Sequence, residues 1–223
     1  MNTELKSAHP SCTDKPGGEP ILVRPVGHVN RHEREQRNGH RGAVVWLTGL
    51  SGAGKSTLAS TLERRLFDLG LQVFVLDGDT VRFGLNADLG FSTEDRAENI
   101  RRAAEVARLS AEAGMVVVTA FISPYRSDRL RARRIVSDRD EMVPFLEVYL
   151  DAALEVCERR DPKGLYPRAR AGRISEFTGV SAPYEPPEDA DLVLHTGDQS
   201  IESCVERLRD RLLAHIRLPE HGG

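Results

Sequence analysis

The residues whose types and spacing best suit chemistry form one short run, Gly49-Leu-Ser-Gly-Ala-Gly-Lys-Ser-Thr57. This run has the GxxxxGK[ST] spacing of a loop that wraps nucleotide phosphates. Its glycines let backbone N–H groups point inward at phosphate oxygens. Lys55 is expected to reach the β- and γ-phosphates, and the Ser56 hydroxyl to coordinate Mg²⁺. The predicted nucleotide-binding residues are Gly49, Leu50, Ser51, Gly52, Ala53, Gly54, Lys55, Ser56 and Thr57.

The segments on either side of this loop have the patterns of a strand and a helix. Ala43–Thr48 (AVVWLT) is a short apolar run typical of a buried strand. Leu58–Leu69 has apolar residues at helical spacing, and Gly70 marks its end. A phosphate-binding loop requires a strand before it and a helix after it, whereas a chance glycine-rich turn does not.

A second group of candidate residues follows the next predicted strand, Gln72–Leu76. Asp77 and Asp79 come at the carboxyl end of this strand, the end that faces the ligand crevice in a parallel sheet. A carboxylate there can accept the proton of a hydroxyl group or hold Mg²⁺ through water. Asp79 is the better candidate for a base because it lies beyond the strand, while Asp77 has the alternative of satisfying a turn.

The rest of the chain alternates strands with helices. The pattern predicts strands at 115–120, 145–150 and 192–195, helices at 93–113, 128–137, 152–159 and 200–216, and a short helix within 28–41. This alternation predicts an α/β fold with a parallel sheet covered by helices on both faces. Segment 161–189 carries five prolines and three glycines and interrupts the pattern. A long segment with little regular structure is often functional, so we predict a lid there.

Length and composition indicate one domain with tails. We predict a mobile tail at 1–27, a catalytic domain at 28–218 and a short tail at 219–223. The net charge of −3 gives no basic field for nucleic acid, and no apolar run is long enough to span a membrane. The first residues lack the apolar core of a signal peptide, and the three cysteines have no spacing of a zinc site or disulfide framework. These features predict a cytoplasmic enzyme without nucleic-acid or membrane partners.

Three longer runs closely resemble the adenylylsulfate kinase family, almost residue for residue. They are 76–102 (LDGDTVRFGLNADLGFSTEDRAENIRR), 121–129 (FISPYRSDR) and 160–187 (RDPKGLYPRARAGRISEFTGVSAPYEPP). The similarity extends from about His28 to about Thr196. It implies the P-loop nucleoside-triphosphate hydrolase fold with a five-stranded parallel sheet and a lid. It also implies that ATP and Mg²⁺ are used to phosphorylate the 3′-hydroxyl of adenosine 5′-phosphosulfate (adenylylsulfate).

The same resemblance assigns roles to single residues. Asp79 corresponds to the base that contacts the acceptor hydroxyl, and Phe91 and Phe177 to aromatic residues that sandwich the adenine, with core packing as the alternative. Ser123 is marked by the family pattern as a phosphoserine intermediate, which in-line phosphoryl transfer does not require. Apart from the resemblance, we hypothesise that lid arginines, Arg168 or Arg173 among them, contact the ATP phosphates or adenine when the lid closes. The implied acceptor-binding residues are Asp79, Arg82, Phe91, Arg96, Asn99, Ile122, Ser123, Lys163, Leu165 and Phe177.

Two other functions compete with this interpretation. The first is a P-loop kinase for another small molecule, which leaves the FISP and DPKGLY runs unexplained. The second is a non-catalytic regulatory domain of the kind that the family can fuse to a sulfurylase. Such a domain is expected to have a damaged phosphate loop, whereas Lys55, Ser56 and Asp79 are all intact. The resemblance further implies a homodimer, and the unfavourable synthesis of adenylylsulfate suggests functional coupling to ATP sulfurylase.

Overall fold

The computed structural model describes residues 28–137 and 143–218 of the 223-residue chain. The tails predicted at 1–27 and 219–223 lie outside the described residues. Contacts divide the chain after Asn30, and the sheet and its helices belong to the unit that begins at Arg31. The elements of this unit are α1 Arg31–Asn38, β1 Ala43–Thr48, α2 Lys55–Asp68, β2 Val73–Asp77, α3 Gly78–Arg82, α4 Thr93–Glu112, β3 Val116–Ala120, α5 Arg126–Ser137, β4 Phe145–Leu150, α6 Leu154–Arg160, α7 Leu165–Arg170, β5 Leu192–Leu194 and α8 Ile201–Ile216.

The five strands form one parallel sheet in the order β2-β3-β1-β4-β5. The central strand β1 pairs with β3 on one side and β4 on the other, so the chain order reverses beside it. Ligands bind at such a reversal, outside the carboxyl ends of the strands. Ala120 at the end of β3 pairs with Asp77 of β2 and with Leu47 of β1. The loops that follow these three strands therefore leave the sheet at the same edge.

Both faces of the sheet are covered, as the alternation of elements predicts. Every residue of β1 is fully buried, because neighbouring side chains point to opposite faces and both faces carry helices. Val45 and Leu47 belong to a core cluster that includes residues of α2 and α8. Val44 and Trp46 belong to the other cluster, which includes residues of α4 and α5. This packing fixes β1, and with it the start of the glycine-rich loop.

Two short helices were not predicted from the sequence. The first, α3, contains Asp79 and is capped by the Asp77 side chain, which accepts a hydrogen bond from the Asp79 N–H. The second, α7, lies inside segment 161–189, where little regular structure was predicted. The Asp161 carboxylate accepts hydrogen bonds from Leu165 N and Tyr166 N, and a proline is tolerated in the first turn of a helix.

The remaining elements match the sequence predictions with shifted ends. The helix after the glycine-rich loop begins at Lys55, three residues before the predicted start at Leu58, because it starts inside the motif. The short helix expected within 28–41 is present as α1. Strand β5 is shorter than predicted, with three residues. In the described part of the chain, no helix has the length and apolar character needed to cross a membrane.

Candidate active site

The glycine-rich loop is packed so closely that side chains cannot replace two of its glycines. A Cβ at Gly49 would lie 2.7 Å from the Leu150 carbonyl oxygen, and one at Gly52 would lie 2.7 Å from the Cys157 oxygen. Both glycines also have positive φ, a conformation that disfavours residues with a Cβ. The loop is therefore pressed against the end of β4 and against α6, and its curl is determined by the core beneath it.

Lys55 lies within this loop as the first residue of α2. Its ammonium group donates hydrogen bonds to the carbonyl oxygens of Gly49 (2.8 Å) and Leu50 (2.7 Å). Only 8% of the residue is exposed, and this burial lowers the pKa of Lys55 to about 8. A bound triphosphate would raise the pKa of Lys55 again, because negatively charged phosphate oxygens favour the ammonium form.

Ser56 and Asp77 connect the glycine-rich loop to β2. The Ser56 hydroxyl donates to Asp77 Oδ2 at 2.6 Å, while Asp77 Oδ1 caps α3. Hydroxyl and carboxylate oxygens are the ligands that Mg²⁺ prefers, together with phosphate oxygens and water. No group of three or more His, Cys, Asp or Glu residues able to hold a metal occurs within 28–137 and 143–218. The pair fits a magnesium ion that takes its other ligands from the nucleotide and solvent.

Asp79, the candidate base, lies in the first turn of α3, directly after β2. Its carboxylate is 62% exposed and forms an ion pair with the ammonium group of Lys163, whose side chain is 52% exposed. Lys163 lies between α6 and α7, 84 positions along the chain. The fold thus brings together two residues that the sequence predicted separately. A solvent-exposed ion pair of this kind is weak, so a ligand can separate it.

Arg96 joins two segments that border the crevice. Its Nε donates to the Phe91 carbonyl oxygen at 2.9 Å, and its Nη2 donates to the Glu176 carbonyl oxygen at 2.8 Å. The Arg82 guanidinium lies 4.3 Å from the centre of the Phe91 ring and donates to the Gly90 carbonyl oxygen at 3.0 Å. Both arginines therefore hold the segment that carries Phe91, and both face the exposed ring.

The two aromatic residues predicted to sandwich an adenine differ in environment. Phe91 is 60% exposed, whereas Phe177 is 8% exposed and belongs to the core cluster beneath α2 and α8. The rings of Phe177 and Tyr166 of α7 meet edge to face, with their centres 5.1 Å apart. The structure thus gives Phe177 the core packing that was its alternative, and Leu165 packs partly buried against the same cluster.

Ser123 lies buried in the loop between β3 and α5. Its hydroxyl accepts a hydrogen bond from Trp46 Nε1 at 3.2 Å, and its φ of 40° is positive. The Ser123 carbonyl oxygen accepts from Arg129 Nη1 at 2.8 Å, and the Ile122 carbonyl oxygen accepts from the Thr48 hydroxyl at 2.7 Å. Helix α5 begins at Arg126, three residues after Ser123, so the Ser123 side chain does not cap this helix.

Sequence reasoning missed Arg129, which organises this loop. Its guanidinium is almost fully buried and donates to Glu147 Oε1 (2.7 Å) and to the Glu185 carbonyl oxygen (2.7 Å), as well as to Ser123. A planar guanidinium with several donors can bond three groups at once. Nothing local in the sequence distinguishes Arg129 from the other arginines of α5, because its partners come from distant segments.

A cavity of about 210 Å³ adjoins the glycine-rich loop. The Thr196 hydroxyl donates to the Ala53 carbonyl oxygen at 2.9 Å, and Arg160 Nη2 donates to the Thr196 carbonyl oxygen at 2.7 Å. These bonds tie the end of β5 to the loop. Three of its lining residues, Ala53, Gly54 and Thr57, belong to the predicted phosphate-binding motif. No sequence pattern indicates the others, which are Arg160, Thr196, Gln199, Ile201 and Cys204.

A phosphate-binding loop on the central strand, with a carboxylate and arginines at the ends of neighbouring strands, defines a P-loop kinase. The family model of adenylylsulphate kinase matches residues 41–195, and the chain belongs to this family. The chain is 54% identical to the adenylyl-sulfate kinase of Acaryochloris marina over 180 residues, which cover 81% of this chain and 86% of that protein.

Solved structures support the same assignment. The APS kinase of Mycobacterium tuberculosis in complex with AMPPNP and APS is 50% identical, with a TM-score of 0.74 over 77% of this chain and 98% of that one. A hexameric APS kinase from Thiobacillus denitrificans is 32% identical, with a TM-score of 0.59 over 80% of this chain and 30% of that one. Because the chain belongs to this family, it is not a member of an unrelated family of small-molecule kinases.

Proposed function

We propose that this chain transfers the γ-phosphate of ATP to the 3′-hydroxyl of adenosine 5′-phosphosulfate, giving ADP and 3′-phosphoadenylyl sulfate. One observation carries the proposal: in a member of the adenylylsulfate kinase family, the phosphate-binding Lys55 and the carboxylate of Asp79 are both intact and lie at the same edge of the sheet. A regulatory domain without activity has no need to keep either group.

The donor side of the proposed reaction is the glycine-rich loop. Backbone N–H groups at the start of α2 bind the phosphate chain, and the Lys55 ammonium turns from the Gly49 and Leu50 carbonyl oxygens to the β- and γ-phosphates. The cavity beside the loop receives the nucleoside of ATP. Ser56 and Asp77 would hold Mg²⁺, which supplies neutralisation of charge on the transferred phosphoryl group.

The acceptor side lies at the ends of β2 and β3. Asp79 orients the 3′-hydroxyl and accepts its proton as the oxygen attacks the γ-phosphorus in line with the leaving ADP. Lys163 leaves Asp79 for an anionic group of the acceptor, since their exposed ion pair is easily exchanged. Arg82, Arg96 and Asn99 bind the adenylylsulfate, and the exposed ring of Phe91 stacks on its adenine.

Segment 161–189 serves as the lid in this proposal. It supplies Lys163, and it carries the exposed Arg168 and Arg173, which reach the ATP phosphates when the segment closes. Closure would exclude water, which strengthens electrostatic interactions and prevents hydrolysis of ATP. The Arg96 bond to the Glu176 carbonyl oxygen links this lid to the acceptor side.

Ser123 acts as a positioning residue in this mechanism. Its hydroxyl is buried against the Trp46 indole, which leaves it poorly placed to exchange a phosphoryl group with ATP. Direct transfer needs only positioning and charge neutralisation, and both are supplied by residues around Lys55 and Asp79. The bond from Trp46 holds the loop after β3, whose backbone at Ile122 and Ser123 faces the acceptor.

The proposal extends to assembly and supply of substrate. We propose that the chain works as a homodimer in the cytoplasm, where its donor ATP is abundant. Because adenylylsulfate forms at a steep thermodynamic disadvantage, we also propose functional coupling to an ATP sulfurylase, which makes the substrate that this kinase withdraws. The relative solved as a hexamer is a precedent for assembly in this family.

The test is production of 3′-phosphoadenylyl sulfate from ATP and adenylylsulfate by the wild-type chain and by Asp79→Asn. The proposal predicts product with the wild type, and a fall in kcat of about 10²- to 10³-fold in the variant with an unchanged KM for ATP. Asp68→Asn, at an exposed ion pair on α2, is the matched control and keeps full activity. Wild-type turnover in Asp79→Asn would remove Asp79 from the proton transfer.

A further inference from the structure

Asn86 is a fully buried polar residue that the proposed reaction does not use. It lies in the connection between α3 and α4 and is 0% exposed. Its Nδ2 donates to Oδ1 of Asn99, one of the residues proposed to bind the acceptor, at 2.8 Å. Asn99, on α4, is itself only 6% exposed. Asn86 is therefore linked to the proposed acceptor site by its hydrogen bond to the Asn99 side chain.

The backbone holds Asn86 in this place. Its N–H donates to the Val81 carbonyl oxygen at 2.8 Å, and its carbonyl oxygen accepts from Leu89 N at 3.1 Å. Arg102 of α4 pins the same connection through two bonds to the Asp88 carboxylate, of 2.7 and 2.9 Å. Because the backbone on both sides of the residue is fixed, Asn86 can direct Asn99 instead of following it.

The Asn86 side chain is costly to bury. Its Oδ1 is buried without a hydrogen-bond partner among the described residues, and such an atom reduces the free energy of unfolding. An apolar side chain of the same size would avoid this cost. Buried polar groups that break the rule of satisfied hydrogen bonds are expected at functional sites, where stability is given up for a specific geometry.

The consequence for Asn99 is a defined orientation of its amide. An amide has one oxygen that only accepts and one nitrogen that only donates. Since Asn99 Oδ1 accepts from Asn86, Asn99 Nδ2 is the atom left to face a ligand. We propose that Asn86 is a positioning residue that fixes this donor toward a hydrogen-bond acceptor of the adenosine nucleotide, a ring nitrogen or an oxygen; this inference rests on the proposed function.

Two substitutions of Asn86 separate orientation from packing. In Asn86→Asp the introduced carboxylate accepts from Asn99 Nδ2, so the amide reverses and presents its oxygen to the ligand. In Asn86→Leu the side chain stays similar in size and the Asn99 amide is free to turn. The expected KM for adenylylsulfate rises about tenfold in Asn86→Asp and about threefold in Asn86→Leu, with kcat and the KM for ATP within about twofold of wild type.

The matched control is Asn38→Asp. Asn38 of α1 also donates one amide hydrogen bond, to the Gly114 carbonyl oxygen at 3.0 Å, but neither residue is among those proposed to bind a substrate. This control loses thermal stability without any change in the KM for adenylylsulfate. If Asn86 acts only through Asn99, then adding Asn86→Asp to Asn99→Ala raises that KM by less than about twofold beyond Asn99→Ala alone.

Each result has a distinct meaning. An unchanged KM in Asn86→Asp, or a fully additive double variant, overturns the positioning role while wild-type product formation still supports the proposed function. A rise in the KM for ATP equal to that for adenylylsulfate also overturns it, because general loosening of the fold affects both substrates. Absence of product with wild-type protein would instead contradict the proposed function itself.

Discussion

The donor and acceptor sides of the crevice are built in different ways. The glycine-rich loop rests on the buried strand β1, and its glycines lie in contact with backbone atoms of β4 and α6. The acceptor side is held by side chains that donate to carbonyl oxygens, such as Arg96 to Phe91 and Glu176. Its candidate base and its exposed aromatic residue face solvent. The fold thus fixes the backbone of the loop at the phosphate end, whereas side-chain bonds hold the acceptor end.

This difference implies different tasks during turnover. The donor side must present backbone N–H groups that need no rearrangement, because preorganised dipoles are the source of most electrostatic catalysis. In the proposed mechanism, the acceptor side admits a nucleotide, closes over it and releases a product of greater charge. Contacts between segments far apart in sequence, such as the bond from Arg96 to Glu176, are suited to that closure.

The largest expected effect comes from the donor side. Lys55→Met removes the ammonium group that neutralises the transferred phosphoryl group, and we expect kcat to fall by about 10³-fold or more. Steady-state kinetics with both substrates measures this. Lys163→Met is the comparison on the acceptor side and is expected to raise the KM for adenylylsulfate while leaving the KM for ATP unchanged. A similar fall in kcat in both variants would contradict the difference between the donor and acceptor sides.

The next effect separates the two phenylalanines. Phe177→Ala empties a buried site and is expected to lower the free energy of unfolding by about 3 kcal/mol. Phe91→Ala removes an exposed ring, so its unfolding free energy should stay within about 0.5 kcal/mol of wild type, while the KM for adenylylsulfate rises. Denaturant unfolding and steady-state kinetics test the pair. Equal destabilisation by both substitutions would show that Phe91 is not the exposed stacking residue.

Arg96→Lys tests the link between the segment that carries Phe91 and segment 161–189, the proposed lid. A lysine keeps the charge but cannot bond two carbonyl oxygens in the fixed geometry of a guanidinium. We expect the KM for adenylylsulfate to rise by about 10- to 30-fold, equivalent to roughly two hydrogen bonds. Arg101→Lys, on the same helix but paired with Glu98, is the matched control and should be neutral. A neutral Arg96→Lys would contradict the linking role.

The smallest expected effect is the uptake of a fraction of a proton by Lys55 when ATP binds. Because burial lowers the pKa of Lys55 to about 8 from the usual 10.5, the unfolded chain holds more protons on this lysine than the folded chain between these two values. The contribution of Lys55 to stability therefore rises with pH across that window. ATP should restore the charged form, so binding at about pH 8.5 takes up a fraction of a proton and binding at about pH 7 takes up almost none.

Calorimetry of ATP binding in two buffers of different ionisation enthalpy measures this uptake. Lys163→Met should keep the uptake, because its lysine lies in an exposed ion pair on the acceptor side. Equal uptake at both pH values, or loss of the uptake in Lys163→Met, would contradict the assignment of the shifted group to Lys55.

The sequence predicts the donor side better than the acceptor side for a physical reason. The pattern of β1, the glycines and the following helix lies in consecutive residues, so local rules suffice. Helix α7 was not predicted because prolines and glycines dominate its surroundings, although the Asp161 carboxylate is suited to accept from the first N–H groups of a helix. The roles of Arg129 and Asn86 depend on partners that only the folded chain brings near.

Transfer of phosphate to adenylylsulfate is measured most directly with γ-labelled ATP. Wild-type protein is incubated with adenylylsulfate, with AMP and without acceptor, and the labelled products are separated. We predict label in 3′-phosphoadenylyl sulfate, none on AMP, and little release of phosphate without acceptor. No label on adenylylsulfate, in a protein that still binds ATP, would contradict the proposed transfer and favour a regulatory domain.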